Sequence, residues 1–304
     1  MGINRQIVID VKNDISAAIL EFFREKKINY ERTIKKESNI AVIKLSPLAD
    51  ANDKFGDTII ALQNFSNRLI IEKKRKVRYS EELVKKINER QLSQETIKMI
   101  KTFKYKFKNG KEINSNLSRL IWDSQKLDYL FNIWNIKHLH LSESVSFCDE
   151  TMANNRAKQL LFFIEDKDEI YFLDVKNHPR GSGFTVFNFL EIMERNGWLG
   201  IVGLRKMCGI KLVNPIKTDE DIYKCARNGI STAYEINGNC YMSMGITSKG
   251  NKTEYTMNLI RINRLINILA SKPHIKYLSF HLELNGCLGW IHYKENGKDE
   301  LYKI

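Results

Sequence analysis

The feature that most constrains the fold is a series of short segments with strand-like alternation, ended by turn residues and separated by amphipathic helices. Strands are predicted at 137–141, 159–164, 169–175, 232–235, 240–244, 277–284 and 288–293, and helices at 117–134, 186–196, 218–227 and 254–270. Residues 165–168 and the Asn-Gly pairs at 237 and 285 are hairpin turn signals. We therefore predict an α+β fold, in which a helix-rich basic N-terminal region precedes a mixed or antiparallel sheet domain with packed helices.

Positive charge is concentrated in the first third of the chain. The 304 residues carry a net charge of +13, from 49 Lys and Arg against 36 Asp and Glu. Residues 1–112 hold 25 basic and 15 acidic residues, a net of +10, and the remaining 192 residues hold 24 and 21, a net of +3. A basic field attracts polyanions, above all nucleic acid. Lysine-rich coding bias is the alternative explanation. We predict a basic nucleic-acid-binding or partner-binding region over 1–112 and an α+β domain over 113–304.

Helical and strand patterns both occur in the basic region. They predict a short strand at 7–10, a helix at 13–26 capped by Asn13, a strand at 40–45, and helices at 58–71, at 80–90 and from residue 93. From Phe103 to Lys108 aromatic residues alternate with lysines, and Asn109 and Gly110 follow. This period of two predicts a strand with one lysine face, which either binds a phosphate backbone or is simply solvated.

Ten cations are predicted to contact nucleic acid. They lie in the run 73–78, in the alternating segment, and at the end of the strand that begins near residue 169. They are Lys73, Lys74, Arg75, Lys76, Arg78, Lys104, Lys106, Lys108, Lys176 and Arg180.

Histidines and a carboxylate occupy polar positions on two predicted strands. In the segment 137–141, His138 and His140 project to the same side. In the segment 171–178, Asp174, Lys176 and His178 share the polar face. If the two strands are neighbours, one surface holds all five side chains. The alternative is that these are packing or solvated strand residues.

Two phosphodiester-cleaving mechanisms fit such a surface. Without metal, His140 and His178 act as base and acid, His138 and Asp174 orient them, and Lys176 or Arg180 contacts the phosphate. With a divalent metal such as Mg²⁺, Asp174 and Lys176 form an Asp-x-Lys element and Asp149 or Glu150 completes the site. The sequence leaves open whether the cofactor is none or a metal.

The same residues resemble the motif series of a largely uncharacterised bacterial protein family. The resemblance rests on the segments 138–141, 160–163, 171–175 and 190–192 with His178 and Trp198, and extends loosely over 134–269. Ser142, Gly197 and Leu199 depart from the pattern, which has Gly after His-Leu-His-Leu and ends Asn-Trp-Pro. The family implies that His138, His140, Asp174 and His178 recur together, without an activity. A looser similarity to toxin or phage-defence ribonucleases implies nucleic acid as the substrate.

The remaining composition favours a reduced, cytoplasmic protein. No segment has the roughly 18 to 20 apolar residues that cross a bilayer, and residues 1–6 lack the apolar core of a signal peptide. The five cysteines are widely spaced and form no CxxC pair, which fits reduced thiols. We expect no membrane partner.

These observations predict a bacterial nuclease, acting on RNA, as a toxin or antiviral defence effector. A protein partner or a homo-oligomer is compatible with the sequence. The alternative is a non-catalytic nucleic-acid-binding or protein-interaction subunit of a defence or mobile-element system, so enzyme status stays open. A small-molecule enzyme is a third interpretation, and it predicts no salt-dependent nucleic-acid binding.

Overall fold

A computed structural model describes residues 3–28, 30, 47–124, 126–142, 159–178, 186–216, 218–242, 245–282, 289–295 and 298–303. Over these residues it confirms the predicted α+β fold, with eight α-helices and three small sheets. No helix in these ranges is both long enough and apolar enough to cross a bilayer.

The elements are as follows in chain order. The helices are α1 (Arg5–Glu25), α2 (Pro47–Ser66), α3 (Glu81–Asn88), α4 (Gln94–Asn109), α5 (Tyr129–Trp134), α6 (Asn188–Arg195), α7 (Asp219–Arg227) and α8 (Thr253–Ala270). Short 3₁₀ turns cover Asn114–Asn116, Arg119–Trp122 and Leu199–Val202. The strands are β1 (Lys76–Tyr79), β2 (Lys137–His140), β3 (Gln159–Glu165), β4 (Glu169–Asn177), β5 (Arg205–Lys206), β6 (Ala233–Ile236), β7 (Asn239–Met242), β8 (Leu278–Leu282), β9 (Gly289–Glu295) and β10 (Lys298–Lys303).

The chain forms two compact units. One consists of Met1–Asn67, Trp122–Lys126 and Glu254–Ile304, and the other of Arg68–Ile121 and Leu127–Thr253. These units differ from the predicted division near residue 112. The physical reason is β1, which lies in the basic region yet pairs with β4 of the histidine-bearing sheet.

The second unit contains a mixed four-stranded sheet in the order β1-β4-β3-β2. β1 is parallel to β4, and the other two pairings are antiparallel. The predicted hairpin around 165–168 is therefore confirmed. A register shift after Phe162 leaves Leu173 as an extra residue in β4, because Phe162 pairs with Asp174 while Phe163 pairs with Phe172.

An apolar cluster covers each face of this sheet. On one face Leu160 and Phe162 pack with Phe189 of α6, and the Phe162 and Phe189 rings lie 4.7 Å apart. On the other face Leu161 and Phe163 pack with residues of α4. Each strand therefore contributes alternate residues to two cores, as expected for a sheet covered on both sides.

The alternating segment 103–108 is a helix, so the strand prediction is wrong. α4 is capped by Ser93, whose hydroxyl accepts the Thr96 N–H, and it ends at Gly110 in the left-handed conformation. Phe103 and Phe107 are buried four residues apart, whereas Tyr105 is 61% exposed. A strand would have placed all three aromatic rings on one face.

Two other predictions need correction. The strand at 7–10 is part of α1, which begins after the Asn4 cap because Ile7, Val8 and Val11 are buried at helical spacing. The continuous helix predicted at 117–134 is instead one 3₁₀ turn, Arg119–Trp122, and α5, since Asp128 caps a new helix by accepting the Phe131 N–H.

The helices predicted to begin at residues 80, 93 and 218 are confirmed, and Ser80, Ser93 and Thr218 are their N-caps. The helix predicted at 58–71 begins earlier, as α2, and ends at Ser66. β10 was not predicted. The strand prediction at 40–45 falls outside the described residues.

Candidate functional site

Three histidines meet at one end of the four-stranded sheet. β2 ends there at His140, and β4 ends next to His178. The imidazole centroids of His140 and His178 lie 5.7 Å apart, and those of His138 and His140 lie 5.9 Å apart. We refer to His138, His140 and His178 as the histidine cluster.

The strands that carry these histidines are not neighbours, because β3 lies between them. His140 pairs with Leu160, which in turn pairs with Lys176. Directly paired residues project to the same face of a sheet. The side chains from β2 and from the end of β4 therefore share one face even though the strands do not touch.

His138 is the buried member of the cluster. It is 8% exposed, and its ring centroid lies 5.8 Å from that of Phe162. Burial lowers the pKa of His138 below its usual 6.5, the charge of Asp128 acts in the opposite direction, and His178 lowers it further. His138 is therefore favoured as a neutral imidazole, whereas His140 and His178 are half-buried.

Asp174 is held by lysines. The residue is 2% exposed, with a carboxylate oxygen 2.7 Å from Lys86 Nζ of α3 and 3.5 Å from Lys176 Nζ. Its carboxylate also accepts the Val175 N–H at 2.8 Å. The predicted site residue Asp174 thus neutralises two cations, one on α3 and one on β4.

Lys176 has a defined position beside α6. Its Nζ donates to Asn188 Oδ1 at 3.3 Å and lies 5.4 Å from the centroid of the Phe189 ring. Asn188 in turn donates to the Glu191 carboxylate at 2.9 Å. These contacts aim the amino group along the same face of the sheet as the histidine cluster.

Sequence reasoning missed several residues around the site. Asp128 acts on His138 from the start of α5, and Lys86 reaches Asp174 from α3. Asn116 fixes the end of β2, since its Nδ2 donates to the His140 carbonyl at 3.4 Å and to the Ser142 carbonyl at 3.0 Å. Only Asp128 carried a local signal, because an Asp before a helical segment is a capping residue.

The predicted phosphate-binding run 73–78 is partly engaged in ion pairs. The pairs are Lys73 with Asp168 at 3.3 Å, Arg75 with Glu165 at 3.3 Å, and Arg78 with Glu169 at 2.8 Å. The Arg78 contacts and a Tyr171 hydrogen bond lower the pKa of Glu169 to about 2. Arg75 is also buried. Lys74 and Lys76 are exposed, and within the described residues neither forms an ion pair of this kind.

The other predicted cations differ in exposure. Lys104 is half-buried with its Nζ 4.9 Å from the centroid of the Tyr79 ring, Lys106 is half-buried, and Lys108 is exposed. Arg180 lies outside the described residues, as do Asp149 and Glu150.

Within the described ranges, no group of three or more His, Cys, Asp or Glu side chains is arranged to hold a metal ion. Cys208, Cys225 and Cys240, the cysteines in those ranges, are free thiols. The chain matches no protein-family model, and comparisons with curated proteins and with solved structures return no match either.

Proposed function

We propose that the protein is a nuclease that cleaves the phosphodiester backbone of RNA, with His140 and His178 as the proton-transferring pair. The observation that carries this proposal is the 5.7 Å separation of the two imidazole centroids. Both rings are half-buried, so they combine a defined position with access from solvent. Two imidazoles at this spacing can address opposite sides of one phosphate group.

The chemistry needs one base and one acid. One imidazole, neutral at the start, takes the proton of the ribose 2′-OH as that oxygen attacks phosphorus, and the other imidazole, protonated at the start, gives its proton to the leaving 5′ oxygen. The products are a 2′,3′-cyclic phosphate and a 5′-OH. A neutral His138 beside His140 supports this exchange, because it adds no positive charge that would drive a proton from its neighbour.

Lys176 is the proposed phosphate contact within the site. It shares the face of the histidine cluster, and Asp174 and Asn188 hold its amino group in place. Asp174 acts by positioning this lysine. The engagement of its carboxylate by Lys86 and Lys176 favours the acid–base mechanism over a role for Asp174 as a metal ligand.

Positive charge in the same unit supports a polyanionic substrate. Lys74 and Lys76 are exposed at the start of β1, in the sheet that carries the cluster. Together with the resemblance to toxin and phage-defence ribonucleases, this charge supports the proposal that the enzyme is an effector that attacks nucleic acid in a bacterial cytoplasm. Arg180 remains a proposed additional phosphate contact.

The test compares wild-type protein with His140→Ala and His178→Ala on end-labelled RNA and DNA, with EDTA and with Mg²⁺. His281→Ala, an exposed histidine of β8, is the control. We expect each cluster variant to lose about 100-fold or more of the cleavage rate, the usual contribution of a general acid or base, while RNA affinity is kept. Cleavage that persists with EDTA supports the histidine mechanism.

Three results would overturn this proposal. Equal cleavage by wild-type and cluster variants would remove the histidines from the reaction. Absence of cleavage, with salt-sensitive RNA binding intact, would favour the non-catalytic binding subunit, and absence of both would favour a small-molecule enzyme.

A further inference from the structure

The outward side of α4 is a strongly basic surface. The helix contains five lysines and one glutamate. Ile100, Phe103 and Phe107 face the sheet and are buried. On the opposite side the helical period aligns four exposed residues, Lys98, Lys101, Tyr105 and Lys108, which we call the α4 outer face.

The lysines of the α4 outer face are not neutralised by the rest of the described chain. No ion pair joins Lys98, Lys101 or Lys108 to an acidic side chain in the described ranges. The run 73–78 differs, because three of its cations are paired with Asp168, Glu165 and Glu169. The α4 outer face therefore has more unpaired positive charge to offer an external polyanion than the basic run 73–78 has.

Tyr105 adds an aromatic platform to this charge. It is 61% exposed and, with Lys98 and Lys101, lines an open depression of about 400 Å³. Base–aromatic stacking needs an unstacked base whose ring face is accessible, and flanking lysines supply phosphate contacts. This combination fits a single strand better than a duplex, in which the faces of the bases are covered.

The position of α4 connects the surface to the histidine cluster. Near its start, Thr96 Oγ1 donates to Gln159 Oε1 at 2.7 Å. Gln159 pairs with Asn177, the residue before His178. From Lys98 to Lys108 the helix rises about 15 Å away from this end of the sheet. A single-stranded RNA bound along α4 has to turn around the end of the sheet to reach the histidine cluster, and its flexible backbone allows this.

We propose that the α4 outer face binds single-stranded RNA and delivers it to the end of the sheet. This inference rests on the proposed nuclease function and deepens it, because it names single-stranded nucleic acid as the substrate class. Tyr105 stacks on a base, and Lys98, Lys101 and Lys108 contact phosphates on either side.

The test measures binding of a fluorescent 12-nucleotide single-stranded RNA in the His140→Ala background. A duplex of the same length and vesicles of phosphatidylcholine with phosphatidylserine are the comparison probes. We expect Tyr105→Ala to weaken single-strand binding about 5-fold or more. The pair Lys98→Gln and Lys101→Gln should reduce the slope of log affinity against log salt by about 1.4, since each phosphate contact with a single strand adds about 0.7.

Two matched controls separate a site from general charge. Lys206→Gln with Lys211→Gln removes the same charge from exposed positions outside α4, and Tyr277→Ala removes a tyrosine that is 50% exposed. Both should leave binding unchanged. Circular dichroism checks that each variant keeps the helix content of the wild-type protein.

Three results would overturn the α4 proposal: unchanged affinity and salt slope in the α4 variants, equal losses in the controls, or duplex or vesicle binding at least as tight as that of the single strand. Binding and cleavage together distinguish a failure of the nuclease proposal from a failure of the α4 proposal. If the α4 variants lose RNA binding and the wild-type protein does not cleave RNA, the α4 proposal is supported and the nuclease proposal is wrong. If the α4 substitutions, made in protein that retains His140, leave both RNA binding and His140-dependent cleavage unchanged, only the α4 proposal is wrong.

Discussion

At one end of the four-stranded sheet Glu165 lies between two buried cations, and toward the other end Asp174 lies between two half-buried ones. Glu165 is 2.9 Å from Lys137 Nζ and 3.3 Å from Arg75, whose side chains are 5% and 3% exposed. The partners of Asp174, Lys86 and Lys176, are 30% and 28% exposed.

The difference separates a structural network from a candidate site. Cations at both ends also donate to backbone carbonyls. At the Glu165 end Lys137 donates to Leu69 at 2.8 Å and Arg75 to Ile71 at 3.1 Å, and at the Asp174 end Lys86 donates to Val175 at 3.2 Å. Exposure is what distinguishes the two ends, because the cations at the Glu165 end are buried. At the Asp174 end the lysines keep partial access to water, and the half-buried His140 and His178 lie nearby on the sheet. Accessible titratable groups with fixed positions are typical of functional sites.

The largest effect is expected from Glu165→Gln. Loss of the carboxylate charge leaves Lys137 and Arg75 buried without a counter-ion, and breaking a buried pair in this way costs about 3–5 kcal/mol. The free energy of unfolding, measured in urea, should fall by that amount.

Asp168→Asn is the matched control at the same end, because Asp168 pairs with Lys73 across exposed side chains at 76% and 37%. Its effect should stay within about 0–1 kcal/mol. Equal effects of the two variants would mean that burial does not distinguish these pairs.

A smaller loss is expected from Asp174→Asn. The amide still accepts the Val175 N–H, and Lys86 and Lys176 can turn toward water once the charge is gone. The cost should be about 1.5–3 kcal/mol, the range for hydrogen bonds to a charged group. A urea unfolding curve checks this value. A loss as large as that of Glu165→Gln would show that both ends of the sheet are closed structural networks.

The sequence predicted the hairpin strands and the capped helices but failed at α4. Six residues that alternate between aromatic and lysine, as in 103–108, are compatible with a strand and with a helix. Three signals favoured the helix: the Ser93 cap, Ile100 in register with Phe103 and Phe107, and Gly110 at the end. A window longer than the alternating segment would have found them, because helical periodicity shows only over several turns.

For the site, local periodicity correctly placed His138 and His140 on one side of a strand. It could not place β3 between them and His178, since strand order is a property of the whole sheet. Nor could it show that Asp174 pairs with Lys86, which lies 88 residues away in sequence. The pairing partners of a buried charge are set by tertiary packing.

The smallest effect, a pH dependence, tests whether His138 is neutral in the folded protein. Its pKa is lowered by burial, whereas the unfolded chain keeps a pKa near 6.5, so the unfolded state binds a proton first as the pH falls. The contribution of His138 to stability is complete above pH 6.5 and is lost as the pH falls from there toward the lowered pKa. His138→Gln removes this contribution. Plotted from pH 7.5 to 5.0, the wild-type unfolding free energy should fall more steeply than that of the variant, by at most about 1.4 kcal/mol per pH unit. Parallel curves would show that His138 has the same pKa in the folded and unfolded states. The proposed proton exchange would then lose the neutral imidazole that it requires beside His140.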